Sequence, residues 1–99
     1  MRSFEMSSTT PSEFVRKVRA GLAERGYDRR LSVSLDGDRL TVTFSWMGTT
    51  SFGYRITESG DGFRADLTRR RISPLHAAFT DRFERYFERA LSEVGAKVI

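Results

Sequence analysis

Arginine and hydroxyl side chains alternate with apolar ones, with a period of two, along four segments of the chain. The segments are 30–35, 39–46, 52–57 and 63–70. Because successive side chains of a β-strand point to opposite faces, the polar set is expected on one face of a sheet. Its cations are Arg30, Arg39, Arg55, Arg64 and Arg70. Guanidinium groups bind phosphate and carboxylate oxygens through charge-assisted hydrogen bonds, so this face is predicted to bind anions.

A second concentration of positive charge follows from the expected topology. If short loops join the four strands into an antiparallel meander, three segments meet at one pole: the first strand's start, the loop before the third strand, and the fourth strand's end. This pole holds Arg29, Arg30, Thr49, Thr50, Arg69, Arg70 and Arg71. A helix predicted to begin at Ser73 and Pro74 adds its N-terminal N–H groups and dipole, which favour an anion.

Three interpretations of the arginine-bearing face stay open on the sequence alone. It is a solvated surface, a docking surface for an anionic partner such as nucleic acid or an acidic protein, or the interface of a homodimer. Since the face presents no aromatic side chain for base stacking, a nucleic acid would be held mainly through its backbone. Such binding has little sequence preference and strong salt dependence.

Aromatic residues suggest a function of another class, the carriage of a small apolar ligand between the C-terminal helix and the sheet. The residues placed to line such a site are Trp46, Tyr54, Phe79, Phe83 and Tyr86. The competing interpretation is that these side chains are ordinary core, because interiors are close-packed and a chain of 99 residues has little room for a cavity.

Several chemistries lack their usual residues. The chain has no Cys and one His, so it lacks the usual catalytic pairing of a nucleophile with a His general base. The single His, His76, is expected to be exposed or to cap a helix. Acidic residues in two turns, Asp36, Asp38, Glu58 and Asp61, lack the ligand spacing of a calcium loop. No glycine-rich phosphate loop is present. We therefore expect no catalytic residue, metal or cofactor, and a protein that is not an enzyme.

Length and composition predict one small globular domain. The 99 residues carry a net charge of +4, and 38% are hydrophobic. No apolar run is long enough to span a membrane, and residues 1–10 lack the apolar stretch of a secretory signal, so a cytoplasmic location is expected. We expect residues 10–99 to form the domain and residues 1–9 to be a tail or an edge strand.

Local signals place the elements. A capping box with Pro at the first helical position, Thr10-Pro11-Ser12-Glu13, opens a helix that Gly26 ends. Gly37 marks a hairpin turn, and a continuous helix is predicted from Pro74 to Val94. The expected fold is α+β: an antiparallel meander of four or five strands with both helices on one face, in the order (β)-α-β-β-β-β-α.

This order of elements resembles the helix-grip arrangement of START-like domains and one half of the TATA-binding-protein fold. The resemblance spans nearly the whole chain and rests on order alone, so it carries no functional residue across. It implies either an apolar ligand between helix and sheet or a partner on the open sheet face. A double-stranded-RNA-binding domain differs, since it has three strands and a lysine-rich second helix where this chain has Ser73-Pro74-Leu75-His76-Ala77.

Overall fold

The computed structural model describes residues 3–99, apart from the side chain of Thr80, and confirms the α+β class. The elements are β1 (Phe4–Met6), α1 (Pro11–Glu24), β2 (Leu31–Asp36), β3 (Arg39–Ser45), β4 (Thr49–Ser59), β5 (Gly62–Arg71), a 3-10 helix (Pro74–Phe79), α2 (Thr80–Glu93) and β6 (Lys97–Val98). The strands form one antiparallel sheet in the order β2-β3-β4-β5-β1-β6.

The N-terminal segment is a strand inside the sheet, so both a tail and an edge strand were wrong expectations. Phe4 lies opposite Ala65 of β5 on one side and opposite Val98 of β6 on the other. The side chains of Phe4 and Met6 are buried in the core. The short β6 escaped sequence reasoning because two residues cannot show a period of two.

The capping signal at the start of α1 is confirmed. Thr10 is the N-cap, its hydroxyl accepts a hydrogen bond from the N–H of Glu13 at 3.2 Å, and Pro11 occupies the first turn. The helix then buries one stripe of apolar residues against the sheet. The stripe is Phe14, Val15, Val18 and Leu22.

The predicted continuous helix from Pro74 is wrong over its first six residues, which form the 3-10 helix, and α2 begins only at Thr80. A 3-10 helix turns about 20° more per residue than an α-helix, so the helical pattern loses its phase. Leu75 and Phe79 are therefore 61% and 43% exposed, whereas His76 is only 2% exposed. Further along, Phe83, Phe87 and Leu91 are buried as the α-helical spacing predicts.

One hydrophobic core lies between the helices and the facing side of the sheet. The ring of Phe52 on β4 stacks on Phe83 of α2 with centroids 5.6 Å apart, and the ring of Phe4 lies 5.2 Å from Phe14 of α1. The opposite side of the sheet carries no helix, and we call it the open face. No helix among the described residues has the length and apolarity to cross a membrane.

Candidate functional site

A β-bulge in β5 decides which arginines reach the open face. Gly53 lies opposite Arg69 while the next residue, Tyr54, lies opposite Leu67, so Thr68 is an extra residue on β5. A one-residue bulge reverses the alternation beyond it. Arg69 and Arg71 consequently project from the open face, and the prediction that Arg70 lies there is wrong.

Arg70 instead packs on the helical side of the sheet. Its guanidinium carbon lies 6.0 Å from the ring centroid of Phe52, and its Nη2 donates to Oε1 of Glu84 at 3.1 Å. A guanidinium that packs on a core ring and pairs with α2 holds the helix to the sheet. It is not placed to meet a partner on the open face.

Part of the remaining open-face charge is neutralised within the protein. Arg64 donates to Asp66 at 2.8 Å and to Glu5 at 3.4 Å, and its hydrogen bond to the Asp66 carboxylate raises the pKa of Arg64 above the ordinary value. Arg55 lies 3.6 Å from a carboxylate oxygen of Asp38. Since all three pairs are exposed, each contributes little stability. The face is less positive than its arginines alone suggest.

Only part of the predicted basic pole remains accessible: Arg29, Arg69 and Arg71 are exposed, whereas Arg30, Thr50 and Arg70 make contacts within the protein. Arg30 lies over the ring of Trp46, its guanidinium carbon 5.6 Å from the centroid, and Arg70 faces α2. Thr49 is exposed, but Thr50 is 3% exposed and its hydroxyl is committed to internal hydrogen bonds. The segment after Ser73 is a 3-10 helix of six residues, without the N-terminus of a long α-helix that was expected there.

His76 is buried, contrary to the expectation of an exposed or capping residue. Its Nδ1 lies 2.7 Å from the hydroxyl of Thr50, and its Nε2 lies 2.5 Å from the carbonyl oxygen of Trp46. The Thr50 hydroxyl also accepts from the N–H of Ser73 at 3.0 Å, so its own proton is directed to Nδ1. With a proton on Nε2, that atom donates to the carbonyl of Trp46 and Nδ1 accepts from the Thr50 hydroxyl. The network ties the loop at Trp46 to the 3-10 helix.

An apolar groove of about 410 Å³ opens between this loop, the 3-10 helix and α2. Its aromatic lining is Tyr27, Phe44, Trp46, Phe79, Phe83 and Tyr86. Leu31 completes the apolar wall, and Arg30 and Arg82 contribute guanidinium groups. Of the five residues predicted to line an apolar site, Trp46, Phe79, Phe83 and Tyr86 are brought together here.

The groove is floored by core residues and walled by rings that remain partly in solvent. Phe44 and Phe83 meet beneath it with centroids 5.2 Å apart. On one wall Trp46 and Phe79 pack edge to face at 6.1 Å, and on the other Tyr27 and Tyr86 do so at 5.6 Å. Tyr86 is 52% exposed and Trp46 39%. Exposed rings converging on a cleft are typical of an interaction site.

Positive charge continues from the groove along α2. Arg82, Arg85 and Arg89 surround Tyr86 at helical spacing and line an adjoining cavity of about 220 Å³. These three arginines form no ion pair with any described side chain. An anion held at the end of the groove nearest α2 therefore meets guanidinium groups that are not already neutralised.

Tyr54 does not belong to the groove, which corrects its predicted role. It is 1% exposed, lies 5.3 Å from Phe4, and its hydroxyl finds no hydrogen-bond partner among the described residues. Burial raises its pKa well above the ordinary value near 10, and the negative charges of Glu84 and Glu88 raise it further. The folded protein therefore holds the phenol proton more tightly than the unfolded chain does.

We expect Tyr54→Phe to be at least as stable as the parent at neutral pH, because the substitution removes an unpaired buried hydroxyl. Because the pKa of Tyr54 is higher in the folded protein than in the unfolded chain, ionisation of the phenol favours the unfolded chain. This loss of stability is absent below about pH 10 and grows as the pH rises above it. The parent should lose up to about 1.4 kcal/mol per pH unit relative to the variant above pH 10. Urea unfolding of both proteins from pH 8 to 11 checks this, and parallel pH profiles would contradict it.

Sequence reasoning missed four groove residues, Tyr27, Leu31, Phe44 and Arg82. Tyr27 follows Gly26, where nothing in the local pattern orients a side chain. Phe44 was assigned to the core from its strand parity, and it does pack there, but its ring also floors the groove. The spacing of Arg82 and Tyr86, four residues apart on a helix, was the available signal, since i and i+4 residues are neighbours.

Comparisons with protein families, curated proteins and solved structures gave no match to this chain. Among the described residues no group of three or more His, Asp or Glu side chains could hold a metal ion.

Proposed function

We propose that this protein is a non-catalytic binding module that holds a small amphiphilic anion in the aromatic groove. The observation that carries the proposal is the convergence of partly exposed rings on a cleft of about 410 Å³ with two guanidinium groups at its rim. Ligand sites have this composition: a mostly apolar lining and a few polar groups that orient the ligand. The ligand's apolar body lies on the rings, and its carboxylate or phosphate faces Arg30 or Arg82.

The hydrocarbon part of the groove lining favours an alkyl or hydrocarbon-ring body over a nucleobase. Leu31, Phe44 and Phe83 offer no side-chain hydrogen bond to the polar edge of a base. Burying such an edge without a partner is costly, whereas burying hydrocarbon is favourable by about 25 cal/mol per Å². The chemistry of the lining therefore fits a medium-chain carboxylate better than a stacked base.

Fluorescence titration tests the proposal, because Trp46 is the single Trp of the chain and lies on the groove wall. Decanoate is expected to change the Trp46 emission saturably and to bind about tenfold more tightly than the neutral decanol, since a charge-assisted hydrogen bond contributes about 1.5 kcal/mol. The double variant R30Q/R82Q should lose this preference while still binding decanol. Phe79→Ala should weaken both ligands.

Arg55→Gln, on the open face, is the matched control and should leave both affinities unchanged. A saturable response that is equal for decanoate and decanol in the parent would contradict the anionic part of the proposal. No saturable response to decanoate would contradict the groove itself. Light scattering supplies a further check by measuring the molar mass. If the parent is a dimer and R30Q/R82Q or Phe79→Ala is a monomer, a second copy of the chain fills the groove instead of a small ligand.

A further inference from the structure

The open face carries four guanidinium groups that folding does not neutralise well. Arg39 of β3 lies directly opposite Arg55 of β4, and like charges in this position destabilise a sheet. The β5 bulge adds Arg69 opposite Gly53 and Arg71 opposite Ser51. Arg39, Arg69 and Arg71 form no ion pair with the described residues.

The nearby carboxylates do not cancel this charge. Asp38 reaches only Arg55, at 3.6 Å, and both side chains are more than half exposed. Asp66 lies opposite Arg55 in the sheet, but its carboxylate is engaged by Arg64 at 2.8 Å. Asp36, opposite Arg39, makes no ion pair with the described residues. Arg39, Arg55, Arg69 and Arg71 outnumber Asp36 and Asp38, the two carboxylates of this region that Arg64 does not engage, so the region retains a surplus of positive charge.

Small and hydroxyl-bearing residues separate these arginines. Thr41, Ser51, Gly53 and Thr68 line a shallow depression of about 460 Å³. Three arginines, Arg39, Arg55 and Arg69, and one carboxylate, Asp38, border it. A side chain at Gly53 would place its Cβ 3.2 Å from the Cβ of Arg69, so the bare glycine leaves that arginine room. The outward positions of β2 to β5 hold no aromatic ring. Bases could not stack there, but phosphate oxygens could meet guanidinium and hydroxyl groups.

We infer that the open face binds the phosphate backbone of double-stranded nucleic acid, independently of the groove and without sequence preference. A duplex presents regularly spaced phosphates and hides its bases, which matches a face of arginines and hydroxyls without rings. Arg39, Arg55, Arg69 and Arg71 contact the phosphates. Arg70, directed at α2, takes no part.

The salt dependence of duplex binding tests this inference. With four phosphate contacts, the slope of log K against log salt concentration should be about −3.6, which corresponds to a roughly hundredfold loss of affinity between 50 and 200 mM salt. R39Q/R55Q should reduce the magnitude of the slope by about 1.8. The control R16Q/K17Q removes equal charge from exposed positions of α1 on the other side of the sheet, and its slope should match the parent's.

Two outcomes of the salt series would overturn the inference: no duplex binding at 50 mM salt, or an equal loss of slope in both double variants. A third is competition for the labelled duplex by poly-glutamate as strong as by unlabelled duplex, which would point to an acidic protein partner. Decanoate titrated into R39Q/R55Q separates this inference from the groove proposal. Unchanged decanoate affinity together with a reduced duplex slope supports two independent sites.

Discussion

Gly62→Ala is expected to destabilise the protein by about 3 kcal/mol, the scale of losing a large buried side chain. Gly62 begins β5 beside the end of β1, the strand that pairs with β5. A Cβ there would collide with the carbonyl group of Met6, 2.9 Å from its carbon, and would lie 3.0 Å from the Cα of Ser7. These neighbours are backbone atoms, which cannot relieve the clash by a change of rotamer as a side chain could, so β1 would have to move.

Moving β1 is costly because it carries two core side chains and bridges two strands. Phe4 is fully buried and Met6 is 5% exposed, and β1 joins β6 to the rest of the sheet. Gly62 serves close backbone approach, since its φ is not positive, unlike that of the turn residue Gly37 at 61°.

Urea unfolding of Gly62→Ala beside Gly21→Ala checks this account. Gly21 lies within α1, where an added Cβ meets nothing within 4 Å, and Ala there should stabilise the protein by up to about 1 kcal/mol. The two Gly→Ala changes should therefore shift the midpoint in opposite directions. Equal midpoints for Gly62→Ala and the parent would show that β1 does not pack against β5 as described.

Thr50→Val should cost about 2 to 4 kcal/mol although it preserves the side chain's shape. The substitution removes the hydroxyl that accepts from the N–H of Ser73 and bonds Nδ1 of His76. Each buried polar group left without a partner costs about 1 to 3 kcal/mol. Because His76 also bonds the carbonyl of Trp46, the loss should loosen the groove wall as well as the fold.

The neighbouring residue supplies the control. Thr49 is exposed, and Thr49→Val should change stability by less than about 0.5 kcal/mol. Thermal unfolding measures the stability difference, and the steady-state anisotropy of Trp46 measures motion at the groove wall. We expect Thr50→Val alone to lower the melting temperature and the anisotropy. Equal behaviour of the two variants would mean that the buried network stabilises neither feature.

Sequence reasoning succeeded where local chemistry determines structure. The Thr10 cap of α1 and the turn at Gly37 depend on a few adjacent residues, and the structure contains both. The alternation of β2 to β4 also predicted correctly which side chains are buried. When only one face of a strand is apolar, a shift of one residue would expose that face to solvent, so only one register is stable. Val33, Val42 and Phe52 are all buried.

Sequence reasoning failed where a local irregularity of the backbone changes the phase of the hydrophobic pattern. The bulge at Thr68 exchanges the sides of the sheet to which Arg69, Arg70 and Arg71 point. Because this segment has no apolar residue, its sequence shows no break in the alternation that would reveal the bulge. The 3-10 helix likewise rotates His76 into the core and Phe79 toward solvent. These two shifts moved Arg70 off the open face and opened the aromatic groove, so the candidate sites depend on features that periodicity cannot predict.

Chemical-shift mapping with decanoate tests the groove most directly, because it locates the bound molecule. In a spectrum of the labelled protein, we expect saturable shifts for the Trp46 indole N–H and for the backbone amides of Phe79 and Tyr86. The amides of Arg39 and Arg69, on the opposite side of the sheet, should stay in place. Shifts confined to the open face, or none at any of these residues, would contradict the proposal that this protein holds an amphiphilic anion between its sheet and its C-terminal helix.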